Sequence, residues 1–274
     1  MGARDDVRSW WRTAIIDMEP GRICLRGYAI GDLIENANFV ETIWLMVRGD
    51  LPTAAQARLL ERALVASVDH GPQAPSIAVA RMAVTCGQAL NGAMASAVNL
   101  LDDFHGGAGE QAVMLFSDVA ERLRGGHGPQ EAASAALDVW QDAHGKIVPG
   151  LGHRFHKDGD PRSPVLLGAV DAARADGVVS GTFADAARAV EAELAVRKGR
   201  LIPLNIDGAT AVIFAELGFA APLARGLFCL SRSVGVLSHA WEQTQQGGRN
   251  KGPTPPGYRW RYEGPEPRTI GNPN

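Results

Sequence analysis

The chain is predicted to be all-α on three observations. Alternating Val/Ile/Thr runs that mark half-buried strands are almost absent. Ala, Leu, Glu and Arg, which favour helices, recur at helical spacing along most of its length. Breaks rich in Gly, Pro, Asp and His separate those patterns. With 274 residues, 46% of them hydrophobic, the chain can build one large domain or two modest ones around a real core.

Taken in order, residues 1–31 form an irregular lead-in, with room for short extended pieces in Gly21–Ile30. Asp32 is placed to cap a helix running to about Val47, with Leu33, Phe39, Ile43, Trp44 and Met46 as core candidates. Gly49–Pro52 ends it, Thr53 caps the next helix, and Leu60, Leu64 and Val68 share one face. Asp69-His70-Gly71-Pro72 breaks that helix. The small-residue pattern from Ser76 to Leu101 predicts a buried central helix, since small side chains allow close helix approach. Further helical patterns occupy 110–124, 129–143, 163–175, 183–199 and 225–245. No fixed-period repeat is present.

The densest chemistry lies in Val148–Arg162, a loop holding Gly150, Gly152, Gly159, His153, His156, Arg154, Lys157 and Arg162. Such a stretch can be a solvated loop, a weak metal site or a ligand site. His105-Gly106-Gly107-Ala108-Gly109 opens a helix, where backbone amides can cradle phosphate. No strand precedes it, which weakens a Rossmann reading. Asp207 stands where an N-cap belongs, so it is either a cap or a functional carboxylate. The tail from Gly247 carries Arg249, Lys251, Arg259, Arg261 and Arg268. Its composition is that of a flexible tail, but Tyr258, Trp260 and Tyr262 predict that part of it is docked.

Pro149-Gly150-Leu151-Gly152-His153 followed by Asp160-Pro161-Arg162 resembles the active-site signature of the citrate synthase superfamily, which also holds citryl-CoA lyase and a module of ATP-citrate lyase. The resemblance extends from about Gly21 to Gly264. It includes Arg26–Leu33, Phe39–Thr53, the His105 turn (with Gly109 where Asn is usual), Asp207 and Ser231-Arg232-Ser233-Val234-Gly235. Length and Asp69–Pro72 resemble the cleaving branch, whereas His105 resembles the synthases.

The resemblance implies an all-α citrate synthase fold. A large domain would be formed by 1–105 and 213–274, and a smaller one, 106–212, would close over substrates. It implies that Asp207 is the base at the thioester methyl, that His105 holds the enol oxygen and that His153 polarises the keto carbonyl. His70, Arg162, Arg232 and a tail arginine, Arg259 or Arg261, would bind the polycarboxylate. The tail arginine would reach the partner subunit's site, so a homodimer or dimer of dimers is expected. Coenzyme A would lie against Pro149, Gly150, Leu151 and Gly152, with Arg154 and Lys157 at its phosphates. No permanently bound cofactor is implied, the CoA thioester being a substrate. Citryl-CoA cleavage to acetyl-CoA and oxaloacetate is the expected activity; citrate or 2-methylcitrate synthesis is the alternative. A metal-dependent hydrolase using His153, His156 and Asp160, or a CoA-binding protein without turnover, are remoter readings.

A net charge of −3 and a pI near 6.2 give no sign of nucleic-acid or polybasic membrane binding. Cys24, Cys86 and Cys229 are dispersed, which fits a reducing compartment and neither a disulfide framework nor a zinc site. The charged Met1–Asp6 start leads into no apolar signal region, and no window approaches the roughly 18 apolar residues of a membrane span. A cytoplasmic, soluble protein is therefore expected. No P-loop is present, so ATP use is not expected.

Overall fold

The computed structural model describes residues 9–271. The Met1–Asp6 reading lies outside them. The chain is mainly helical, as expected. It begins with a small antiparallel meander of β1 (Ile16–Glu19), β2 (Arg22–Leu25) and β3 (Tyr28–Ala29), with Ile16 opposite Leu25 and Cys24 opposite Ala29. The Arg26 guanidinium donates to the Met46 carbonyl (2.8 and 3.3 Å), tying the meander to the helices.

The helix expected from Asp32 to Val47 is two helices, α1 (Ile30–Asn36) and α2 (Phe39–Arg48). Asp32 lies inside the first turn of α1, and the cap is Asn38, whose side chain exchanges hydrogen bonds with Glu41 in a capping box. The restart turns Phe39 outward, 73% exposed, while Trp44 and Leu45 are buried. Thr53 caps α3 (Ala54–Ser67) through a second capping box with Gln56, and Leu60 and Leu64 are buried as predicted.

Two compact units follow from the contacts within the chain. Among the described residues the first comprises 9–69 and 101–233. Its helices are α1–α3, α6 (Ala108–Arg124), α7 (Pro129–His144), α8 (Arg162–Ala175), α9 (Thr182–Lys198), α10 (Ile206–Glu216) and the first half of α11 (Ala221–Gln246). The buried central helix is α10. Ile206 and every residue from Gly208 to Ala215 are buried, and α3, α6, α8 and α9 surround it. A helix apolar on all sides belongs in a core.

The second unit, 70–100 and 234–271 among the described residues, holds α4 (Pro75–Thr85), α5 (Leu90–Val98) and the second half of α11. Ser76–Leu101 is thus not one central helix. It breaks at Cys86–Ala89, where Gly87 has a φ of +95° that L side chains avoid. Its small residues do permit close packing: Ile77, Ala80, Ala93 and Ala97 form a core with Val236 and Ala240. The tail starts with hydrogen bonds from the Asn250 and Lys251 amides to Thr85. Beyond that, the expected docking fails on this chain, since Tyr258, Trp260 and Tyr262 are 75, 85 and 69% exposed.

Candidate functional site

The site is built at the start of α10. Residues 150–152 run antiparallel to 203–205. The Gly152 amide donates to the Pro203 carbonyl (2.8 Å) and the Asn205 amide to the Gly150 carbonyl (3.0 Å), while Asn205 Nδ2 donates to the Gly152 carbonyl (2.6 Å). The two strands of chain meet at two glycines. A Cβ on Gly150 would come within 2.7 Å of Gly208 Cα, so neither position admits a side chain. Gly150 also has a φ of +79°.

Asn205, not Asp207, caps α10, accepting the amides of Asp207 (2.9 Å) and Gly208 (3.1 Å). Of the two alternatives for Asp207, the cap is therefore supplied by Asn205 instead. Burial pushes the Asp207 carboxyl above the usual carboxylate range, against the fields of Arg232 and Arg162 and with that of Asp160.

Asp160 organises the opposite strand of the site. Arg162 donates to it through its amide (3.0 Å), Nε (2.9 Å) and Nη2 (2.8 Å), and the Ile206 amide adds a fourth bond (3.1 Å). One buried carboxylate thus fixes both the Arg162 fork and the first turn of α10. Burial alone would raise its pKa, but these hydrogen bonds and the Arg162 charge hold it down at about 2. Arg162 also reaches the Ala66 carbonyl (3.3 Å), and the buried Arg232 donates from Nε to the Ser67 carbonyl (3.1 Å) and lies 4.8 Å from the Phe228 ring. Burial lowers the Arg232 pKa, and the charges of Asp207 and Asp69 work to restore it.

His153 has a defined tautomer. The Phe155 and His156 amides both donate to Nδ1 at 3.1 Å, so the proton sits on Nε2. Burial lowers its pKa, and the charges of His156 and Arg162 add to this while Asp160 opposes it. Burial, then Arg232, lowers that of His105, which sits half-buried in the turn before α6. Asp207, Arg162, Arg232, His105 and His153 therefore share one electrostatic neighbourhood, with two neutral imidazoles, two cations and a raised carboxyl.

Of the expected CoA contacts, Gly152 and Lys157 line a cleft of about 310 Å³ with His153, Leu201, Ile202 and Pro203. Arg200, a second cation in that cleft, was not foreseen; a lone arginine after a helix C-terminus carries no sequence signal. Pro149 and Gly150 are buried and Leu151 partly so, bracing α10, while Arg154 is exposed and outside the cleft lining. His70 and Arg259 belong to the second unit; Arg259 is exposed, and Arg261 pairs with Glu263 (3.2 Å). The metal-ligand reading of His153, His156 and Asp160 does not fit the donor set. Asp160 spends both oxygens on Arg162 and Ile206, and His153 Nδ1 is taken by amides. Among the described residues no group of three His, Cys, Asp or Glu is placed to hold a metal.

Comparison with known proteins agrees with this architecture. A family model described as citrate synthase, C-terminal domain, matches residues 4–58 and 54–254. The structure of citryl-CoA lyase from Hydrogenobacter thermophilus superposes with a TM-score of 0.83 at 30% identity, covering 96% of this chain and 98% of that one. The ATP citrate lyase of Methanothrix soehngenii shares the fold (TM-score 0.76, 22% identity, 96% of this chain and 45% of that one). Among curated sequences, the citrate synthase of Haloferax volcanii is 29% identical over 210 residues, 76% of this chain and 52% of its own length. The chain spans about half the length of the curated citrate synthases it matches. From the matched model, the shared fold and the helix start built on the 150–152 and 203–208 glycine contact, the chain belongs to the citrate synthase family.

Proposed function

We propose that this chain makes and breaks the carbon–carbon bond between an acyl-CoA methyl carbon and a keto acid, and that its activity is citryl-CoA cleavage. The observation that carries the reading is Asp207. Its carboxyl is held above its ordinary proton affinity at the start of a buried helix, facing the charges of Arg232 and Arg162. Such a group can exchange a proton with a thioester methyl. In the joining direction Asp207 takes that proton, His105 donates to the enol oxygen, and the enol carbon attacks the keto carbon. His153 Nε2–H serves the oxygen that becomes the alcohol. Cleavage runs the same steps in reverse. The two amides that donate to Nδ1 support Nε2–H as the donor that polarises the keto oxygen. Nε2 would give its proton to that oxygen in the joining direction and take the citryl hydroxyl proton back in cleavage, with the amides at Nδ1 steadying the ring in between.

Arg162 and Arg232 would fork the substrate carboxylates. The Lys157 and Arg200 cleft would take the anionic part of coenzyme A, which acts as a substrate carrier and not as a resident cofactor. Also proposed are closure of 106–212 over the substrates, a homodimer or dimer of dimers in which Arg259 or Arg261 serves the partner's site, and a cytoplasmic location. No helix among the described residues is long and apolar enough to cross a membrane. The superposition on a citryl-CoA lyase at 30% identity favours cleavage. The names of the curated relatives favour the second reading, a citrate or 2-methylcitrate synthase.

One purified sample decides between them. Citryl-CoA is supplied and oxaloacetate followed by coupled NADH oxidation; acetyl-CoA with oxaloacetate is supplied and free thiol followed. Oxaloacetate without thiol is the expected result. Thiol release with citrate formed replaces it by the synthase, and silence in both overturns the reading.

A further inference from the structure

The turn that carries His105 is fastened to α11 by a single guanidinium. Arg225 ion-pairs with Asp102 and Asp103 of the turn (2.6 Å to Asp103 Oδ1) and with Glu110 in the first turn of α6. The same two aspartates shape the turn. The Asp102 carbonyl accepts the amides of His105 (2.9 Å) and Gly107 (3.0 Å), its carboxylate accepts the Asp103 amide (2.9 Å), and Gln111 reaches the Asp103 carbonyl (3.4 Å). One turn along α11, Phe228 backs the turn from below. A Cβ on Gly106 would come within 3.0 Å of its ring. Arg225, Phe228 and Arg232 lie three and four residues apart, on one face of α11. That face therefore grips the turn at one end and supplies Arg232 to the site at the other.

We propose that Arg225 is a positioning residue for His105: it fixes the 102–107 turn on α11 and so holds the imidazole half-buried beside Arg232. The inference rests on the reading of His105 as the donor to the enol oxygen. Arginine suits the task because its planar fork serves several carboxylates at fixed angles, which a lysine point charge does not. Three carboxylates face it. Without the guanidinium they repel one another, and the turn, whose Asp102 and Asp103 side chains are mostly exposed, opens to water. The charged or titratable groups packed around this arrangement are Asp102, Asp103 and Glu110 at Arg225, Arg232 at His105, and Cys229 on the same helix near both arginines.

The test uses the full chain with Arg225→Met and Arg225→Lys. It measures kcat and KM for citryl-CoA cleavage together with the NMR titration of the His105 ring, assigned against His105→Gln. In Arg225→Met, kcat is expected to fall about 10- to 100-fold, the scale of a small misplacement, with KM changed less than about threefold. The His105 midpoint moves upward toward that of a solvated imidazole, and Arg225→Lys recovers a minor part of the loss. An unchanged His105 titration overturns the proposal, as does a loss confined to KM or to thermal stability. Should Arg225→Met fail to fold, the double variant Asp102→Asn with Asp103→Asn leaves the guanidinium and Glu110 in place and carries the same readouts. Full turnover in His105→Gln overturns the reading of His105 itself, whatever Arg225 does, so the two failures are separate.

Discussion

The 148–162 loop is fastened to α10 by main-chain hydrogen bonds, a glycine–glycine contact and a buried carboxylate, whereas the 102–107 turn is fastened to α11 by exposed carboxylates around Arg225. Buried main-chain bonds are indifferent to salt and leave no freedom of register. Exposed ion pairs are screened and worth little one at a time. The wall that carries His153, Arg162 and Asp207 is therefore rigid, and the wall that carries His105 is adjustable. The proposed reaction, with a polycarboxylate held by arginines and an acyl chain carried on coenzyme A, would suit that division.

The largest effects are expected on the rigid wall. Asp207→Asn keeps the Asn205 cap and the shape of the helix start, so it tests the carboxyl alone. Turnover should fall by about 10²–10⁴, the usual worth of a positioned base, while coenzyme A binding measured by calorimetry stays intact. Retention of most activity would remove Asp207 from the chemistry. Asp160→Asn attacks the support instead. It strips charge from a buried carboxylate that holds Arg162 and the Ile206 amide, and breaking one partner of such a pair costs about 3–5 kcal/mol. A large fall in denaturation midpoint together with lost turnover is expected. The same group predicts acid behaviour. Its folded pKa of about 2 lies below the ordinary aspartate value of 3.8. Its contribution, about 2 kcal/mol, is thus complete above the unfolded value and lost as pH falls toward 2.

These two aspartates also show what could be read from sequence. The glycines, His153 and Arg162 were legible because they sit together in one short motif whose chemistry is local. The Asp207 position was legible, but its alternative role as a cap was not resolvable. Asn205 is an equally good cap two residues earlier, and only the fold decides which side chain turns back on the amides. Asp160 was counted as a possible metal ligand, since its partner, the Ile206 amide, is 46 residues away. The break at Gly87 and the restart at Asn38 were hidden because helix-favouring residues continue on both sides of them. Arg225 and Arg200 carry no local signal at all: one is an arginine on a long helix, the other follows a helix end. The helices from 129 to 198, by contrast, were placed nearly to the residue by their flanking Gly and Pro.

Glycine replacements separate the two walls further. Gly150→Ala puts a Cβ against Gly208 Cα in a residue already at positive φ, so nothing flexible can yield. Destabilisation of about 2–4 kcal/mol in chemical denaturation is expected. Gly109→Ala, in the first turn of α6, meets only the Asp207 carbonyl at 3.8 Å, ordinary contact, and should be neutral or stabilise by up to about 1 kcal/mol. If Gly150→Ala folds as well as Gly109→Ala, the glycine contact is not what fixes the rigid wall.

The smallest effect should be the most diagnostic. At neutral pH both His105 and His153 are neutral, since burial lowers their pKa values, so the acid limb of turnover should lie below the ordinary imidazole range. Each also stabilises the fold above the unfolded imidazole pKa, an effect lost as pH falls through the lower folded value. Raising ionic strength weakens the Arg225 pairs with Asp102 and Asp103 but leaves the Gly150–Gly208 contact and its hydrogen bonds untouched. Histidine NMR at low and high salt, with a non-binding anion, should then move the His105 titration upward by a few tenths of a unit and leave His153 in place. Equal shifts in both rings would mean that salt acts on the shared arginines and not on the turn, and the two walls would not differ in the way the contacts describe.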